Sequence, residues 1–318
     1  MKLTIRLALR DWDYMTPLVL GDVTSNRLDV RVDRVAALPD DLATSVEYDA
    51  SEMSLSRYTT AWARGETGVF GVPNFIMRGF RHRCVITARD SRLTRLADLR
   101  GRRIGLAGWQ DSGNTWTRAA LEHDGVGIED AHWIVGRLSP DHPSIDRVGR
   151  YARPGRIETL PGDPPILDLL LEGKLDAVFT PFMPDGFYGR DARYRHLVAD
   201  LRAAERAYFA AVGYVPGIHV LGIKADLARQ HPWLAQELSD LIDASQRLWH
   251  DKRCRYADTT PWIIDELGQC ARDLPERWNA SGLEANRRMV AAFIEQARHQ
   301  GLMDTDITPD TLFPACTV

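Results

Sequence analysis

Strands and helices alternate along this sequence in the order of an α/β protein with a mostly parallel sheet. Three observations carry that expectation. Short apolar runs such as Ile104-Gly105-Leu106-Ala107 and Ala177-Val178-Phe179 end at glycine or polar residues, as strands buried on both faces do. A Gly/Asp/Ser/Asn-rich loop, Gly108 to Asn114, joins the first run to a helix around Thr115–Leu121. The β-α-β order recurs, which implies parallel strands joined by right-handed crossovers.

Taken in order, Leu3, Ile5, Leu7 and Leu9 alternate with Lys2, Thr4 and Arg6, the period of a strand over 2–9. A polar and aromatic turn, Arg10 to Tyr14, leads to a short helix or loop near 16–20 and a second strand near 28–35. Residues 48–58 read as a strand turning into a helix, with Ser54 and Ser56 at the junction. Those hydroxyls can face a crevice at a strand's carboxyl end or simply cap the helix. Val69–Ile76 is apolar. It precedes Arg78, Arg81, His82 and Arg83; if that segment is extended, Arg81 and His82 point to opposite faces. For the helix after Gly108–Asn114, Asn114 or Thr115 is the expected N-cap, and the loop leaves free N–H groups suited to a carboxylate or phosphate. It matches neither nucleotide-binding glycine motif.

Further strands are expected at 131–135, 156–160, 176–181, 197–198 and 217–224, the last carrying His219 in an apolar run. Helices are expected at 166–173, 201–211, 226–230 and 232–253. The stretch 261–300 reads as mostly helical with apolar inner faces, and no internal repeat is visible.

A chain of 318 residues is long enough for two domains or one large one. The net charge of −4 argues against a nucleic-acid partner, and no apolar run reaches the ~18 residues of a membrane span. The alternating N-terminus lacks the apolar core of an export signal, so a cytoplasmic protein is expected. Cys84, Cys254, Cys270 and Cys316 stand far apart, without the spacing of a zinc or redox site.

Several segments together resemble the 4,5-dihydroxyphthalate decarboxylase family. They are Glu52-Met53-Ser54-Leu55-Ser56, Phe80-Arg81-His82-Arg83-Cys84, Asp98 to Gly105, Thr115-Trp116, Ala131-His132-Trp133, Thr180 with Met183-Pro184, and His231-Pro232-Trp233. The resemblance implies a two-lobed fold like that of type II periplasmic binding proteins, each lobe a mostly parallel sheet flanked by helices. Lobe 1 would comprise 1–87 plus 200–318 and lobe 2 would comprise 88–199, with the ligand in a cleft between them. Where the family pattern has an arginine after the strand at 176–180, this chain has Pro181-Phe182-Met183.

The activity so implied is cofactor-independent decarboxylation of a hydroxylated aromatic acid. Protonating the ring carbon that bears the carboxylate releases carbon dioxide, and an imidazole titrates in the right range for that step. His82 and His219 are the candidate proton donors. Arg81, Thr115 and Trp116 would hold the carboxylate; Ser54, Ser56 and Gln110 would bond ring hydroxyls; Trp12 and Trp116 would stack on the ring. Arg10, Asp13, Glu52 and Thr180 complete the expected site. For each histidine the alternative is a hydrogen-bonded structural role. No cofactor is expected, the alternative being a divalent metal held by Asp13, Glu52, His82 and His219. The partner is a small aromatic carboxylate, with neither nucleic acid nor membrane, and a homodimer is compatible with the reading. The rival is a non-catalytic receptor for a small organic acid, whose fold and arginines would look the same.

Overall fold

The computed structural model describes residues 1–256 and 258–314, so Cys316 lies outside the described residues. The chain runs β1 (Leu3–Leu9), α1 (Thr16–Val19), β2 (Leu28–Arg34), β3 (Ala50–Ser54), α2 (Leu55–Ala63), β4 (Val69–Arg78) and β5 (Val85–Ala88). It continues through β6 (Arg103–Leu106), α3 (Ser112–His123), β7 (His132–Val135), β8 (Ile157–Glu158), α4 (Ile166–Leu171), β9 (Ala177–Phe179) and β10 (Tyr194–His196). The last part is α5 (Leu201–Val212), β11 (Gly217–Lys224), α6 (Ala225–Gln230), α7 (Leu234–Tyr256), α8 (Ile263–Asp273), α9 (Leu283–His299) and α10 (Pro309–Leu312).

Two compact units result. The first comprises Met1–Arg78, Gly217–Ala291 and Thr305–Val318; the second comprises Gly79–Pro216 and Ala292–Asp304. These limits differ from the expected 1–87 plus 200–318 and 88–199. The second unit opens before the basic segment at 81–83, keeps α5, and takes in 292–304, which includes the last turns of α9.

In the first unit the strand order is β2-β1-β3-β11-β4. β1 lies parallel to both β2 and β3, whereas β11 is antiparallel to its neighbours β3 and β4. Ile5, Leu7, Leu9, Val72, Leu221 and Ile223 pack against Leu234, Leu238, Leu241 and Ile242, the inner stripe of α7. All the carboxyl ends of β1 to β4 therefore lie at the edge where β11 begins.

In the second unit the order is β10-β5-β9-β6-β7-β8, with β5 the strand that runs against the rest. Ile86, Ile134 and Val178 pack against Ile166, Leu167 and Leu170 of α4. Gly105 is needed where it stands: a Cβ there would meet Leu175 Cδ1 at 2.7 Å and Val178 Cγ2 at 3.2 Å.

Each sheet is mostly parallel, as expected, with one strand reversed, β5 in one and β11 in the other. Strand direction is not written in an apolar run, and these are the first strands after the chain enters the second unit and re-enters the first. The segment before β5 is also not extended. Arg81 has helical dihedrals, and His82–Cys84 form a turn of 3-10 helix. Helix α8 has no buried residue, and Trp262 and Ile264 beside and within it are exposed, which departs from the apolar inner face expected there.

Candidate active site

In the first unit the polar residues collect at the carboxyl ends of β1 and β3. Glu52 and Ser54 share a face of β3 because side chains alternate along a strand. His219 pairs with Ser54 across the antiparallel β3–β11 ladder, one diagonal step from Glu52, which pairs with Leu221. From there His219 Nδ1 reaches Glu52 Oε1 at 2.5 Å. The other carboxylate oxygen accepts from the Arg10 amide at 3.0 Å and from Trp12 Nε1 at 2.8 Å. The Glu52 side chain is fully buried, while that of His219 is 16% exposed.

Two expected substrate-binding residues are bonded to protein partners here. Glu52 is a substrate ligand in the sequence reading, yet its oxygens are engaged by His219, Arg10 and Trp12. The contact with His219 Nδ1 leaves Nε2 on the far side of the ring from Glu52. Trp12 donates its indole N–H to that same carboxylate, so its bond is to Glu52. Ser54 caps α2 by accepting from the Arg57 amide at 3.4 Å, which is the capping role weighed for it. Ser56, the second residue of α2, is fully buried. Arg10 also donates to the Ala36 carbonyl, and Asp13 is exposed at the start of a 3-10 turn.

Two residues in this unit escaped sequence reasoning. The Tyr14 hydroxyl donates to the Ile76 carbonyl, and burial raises its pKa, with the Glu52 charge adding to the shift. Arg78 closes β4, bonds the Asn286 side chain at 2.6 Å and the Ala280 carbonyl at 3.1 Å, and is pushed down to about 10 by burial. A tyrosine next to a turn and an arginine ending a strand carry no spacing signal that separates them from surface residues.

In the second unit the remaining candidates surround the start of α3. The helix begins at Ser112 with Asp111 as N-cap, three residues before the expected Asn114 and four before Thr115. Asn114 turns back to the Gly108 carbonyl at 2.7 Å and holds the loop. Thr115 donates to the Asp111 carbonyl at 3.1 Å, the backward bond of a hydroxyl inside a helix. Trp116 is 1% exposed and packs on Tyr214 and Phe293, which places it in the core of this unit. Gln110 is exposed in the loop. The Thr180 hydroxyl donates to the Phe182 carbonyl at 2.6 Å, closing its own turn after β9.

Arg81 is 2% exposed and lies against the first turn of α3. Its Nε donates to Thr117 Oγ1 at 3.3 Å, and a Cβ on Gly113 would stand 2.6 Å from its Nη2. His82 is 3% exposed, edge-on to Tyr208 at 5.4 Å, and burial lowers its pKa. Tyr208 meets His123 in the same way at 5.3 Å. Among the described residues no three histidine, cysteine or acidic side chains lie together as a metal-binding group. No described helix is long and apolar enough to cross a membrane.

No family model matches the chain. Among solved structures, the alkanesulfonate-binding protein SsuA from Xanthomonas axonopodis pv. citri matches with a TM-score of 0.54 at 13% identity, covering 98% of this chain and 97% of that one. The periplasmic aliphatic sulphonate binding protein SsuA from Escherichia coli matches with a TM-score of 0.56 at 12% identity, covering 98% and 92%. At such identities the likeness shows the fold, that of periplasmic binding proteins. In sequence, a Pseudomonas putida protein named 4,5-dihydroxyphthalate decarboxylase is 29% identical over 67% of this chain and 84% of its own length. A protein of the same name from Comamonas testosteroni is 30% identical over 98% of this chain and 96% of its own length. With that identity held across nearly the whole of both proteins, the chain belongs to the 4,5-dihydroxyphthalate decarboxylase family.

Proposed function

We propose that this protein decarboxylates a hydroxylated aromatic acid of the 4,5-dihydroxyphthalate type without a cofactor, with His219 as the proton donor. The observation that carries the reading is the pair formed by His219 and the fully buried Glu52. The carboxylate beside Nδ1 holds the ring in one orientation, with Nε2 on the side away from Glu52.

In such a substrate a ring hydroxyl stands para to the carbon that bears a carboxylate, and its oxygen supplies electron density there. Protonated His219 gives its Nε2 proton to that carbon, forming a C–H bond and a dienone still protonated on its oxygen. The bond to the carboxylate carbon then breaks, carbon dioxide leaves, and the electron pair restores the aromatic ring. His219 regains a proton from solvent, so carboxylate plus proton gives carbon dioxide and the ring bearing hydrogen. Glu52 acts through His219 as a positioning residue, held in turn by Trp12 and the Arg10 amide.

The test is turnover of purified protein with a panel of hydroxylated phthalates and benzoates, following carbon dioxide and the loss of one carboxyl from the product. His219→Ala is expected to lower kcat by roughly 10²–10⁴-fold. Glu52→Gln is expected to lower kcat with little change in KM, since it weakens the contact that holds the imidazole in place. Binding of every acid with no carbon dioxide released, or near wild-type turnover by His219→Ala, would overturn the reading.

A further inference from the structure

Helix α8 forms without the usual supports of a helix. Its eleven residues, Ile263–Asp273, fall below the about 12–15 at which an isolated helix holds in water, so most of its stability has to come from packing. Yet none of its residues is buried, and its N-cap, Trp262, makes no side-chain hydrogen bond. The sequence nonetheless writes a stripe on it. Ile263, Ile264, Leu267, Cys270 and Ala271 recur at spacings of three and four, the period of a face meant for apolar contact. Ile263, Leu267 and Cys270 are half-buried and Ile264 is exposed. Trp262 is 75% exposed, and Tyr256 at the end of α7 is 74% exposed. An aromatic side chain can bury about 150–250 Å², so two that are three-quarters exposed leave roughly 200–400 Å² to cover. That is a large share of the ~800 Å² each partner gives to a stable interface.

The charges flanking this surface are divided by sign. The last turn of α7 holds Arg253 and Arg255. Among the described residues neither pairs with a carboxylate; their guanidiniums lie over the rings of Trp249 and Tyr256, at 5.3 and 5.9 Å. The first turn of α8 holds Asp265 and Glu266, both exposed. An apolar centre with one basic and one acidic flank is complementary to a copy of itself turned by a two-fold rotation, since each flank then meets its opposite. An anionic lipid surface fits less well. It calls for Lys and Arg along the polar face, whereas α8 carries Asp265, Glu266 and Asp273 against Arg272.

We infer that the end of α7 and the apolar face of α8 form the contact between two copies of this chain, with Arg253 and Arg255 of each protomer set against Asp265 and Glu266 of the partner subunit. Covering Trp262, Ile264 and Leu267 there supplies the packing that α8 lacks in the single chain. The contact uses none of the residues assigned to the reaction, so it stands apart from the function proposed above.

Sedimentation equilibrium of the whole protein at micromolar concentration reads the assembly directly. Wild type is expected at twice the 35.8 kDa chain mass, or at a higher even multiple, and Trp262→Glu/Ile264→Glu at half the wild-type mass. Two charge-reversed chains test the pairing itself. Arg253→Glu/Arg255→Glu and Asp265→Lys/Glu266→Lys each set like charges together between identical copies, so each alone is expected at half the wild-type mass. Mixed in equal amounts they restore opposite charges at both flanks, and the mixture is expected to regain the wild-type mass. Wild type at one-chain mass overturns the inference; if it then floats with phosphatidylserine vesicles, the face belongs to a lipid surface instead. Unchanged mass in Trp262→Glu/Ile264→Glu overturns it too, as does a mixture of folded reversed chains that stays dissociated. If circular dichroism shows either reversed chain unfolded, the apolar variant decides alone.

Discussion

The two histidines that the sequence offers as equivalents meet opposite surroundings. His219 has a carboxylate at Nδ1, while His82 is packed beneath Tyr208 and its Nδ1 has no partner among the described residues. Burial holds the His82 pKa below the ordinary 6.5, so the folded protein keeps this ring neutral where the unfolded chain would protonate it. Its effect on stability is absent above pH 6.5. As pH falls from 6.5 toward the depressed folded value, the unfolded state binds a proton that the folded state refuses, and stability drops. Melting temperatures of wild type and His82→Phe between pH 7.5 and 5.5 check this: the variant should lose less stability on acidification. Parallel profiles would show that His82 is not the group responsible. Ser54, Glu52 and His219 were legible as polar positions at strand ends, but their tasks were not. Which oxygen meets which donor depends on the ladder register between β3 and β11, about 165 residues apart, and no local pattern encodes it.

At the scale of elements, most strands and helices are readable because burial imposes a period on the sequence. β1, α5 and β11 fall within a residue or two of their expected limits. The start of α3 does not, for a physical reason. Asp111, Ser112, Asn114 and Thr115 can all cap, and the choice is made by packing that buries Ser112, Asn114 and Thr115. Arg118 of α3 is buried. Close approach between elements also hides in single glycines. Gly71 of β4 lies against the ring of Tyr58 from α2, where a Cβ would stand 2.5 Å from the ring. Tyr58 cannot move aside, being bonded to the Leu312 carbonyl and packed on Trp62 and Phe313. Its neighbour in register, Gly222, would meet the flexible end of Met53 instead. Gly71→Ala should therefore destabilise by about 1–3 kcal/mol in chemical denaturation, and by more than Gly222→Ala. Equal effects would show that the Tyr58 ring yields.

At the scale of the whole chain, alternation of strands and helices and the spread of family segments made an α/β protein of two sheets readable from sequence. The path of the chain was less so. The antiparallel β5 and β11, and the return of 292–304 to the second unit, are decided by contacts distant in sequence. One of these has a consequence in time. β3 and β4 are not neighbours, because β11 lies between them and pairs with both. During synthesis both must wait until residues 217–224 have emerged, while every strand of the second sheet is already available by residue 196. Distant pairings form late because closing a long loop costs entropy first. Pulse-labelled hydrogen exchange during refolding should accordingly protect the amides of β6, β7 and β9 before those of β4 and β11; protection in the reverse order would show that the interrupted sheet closes first.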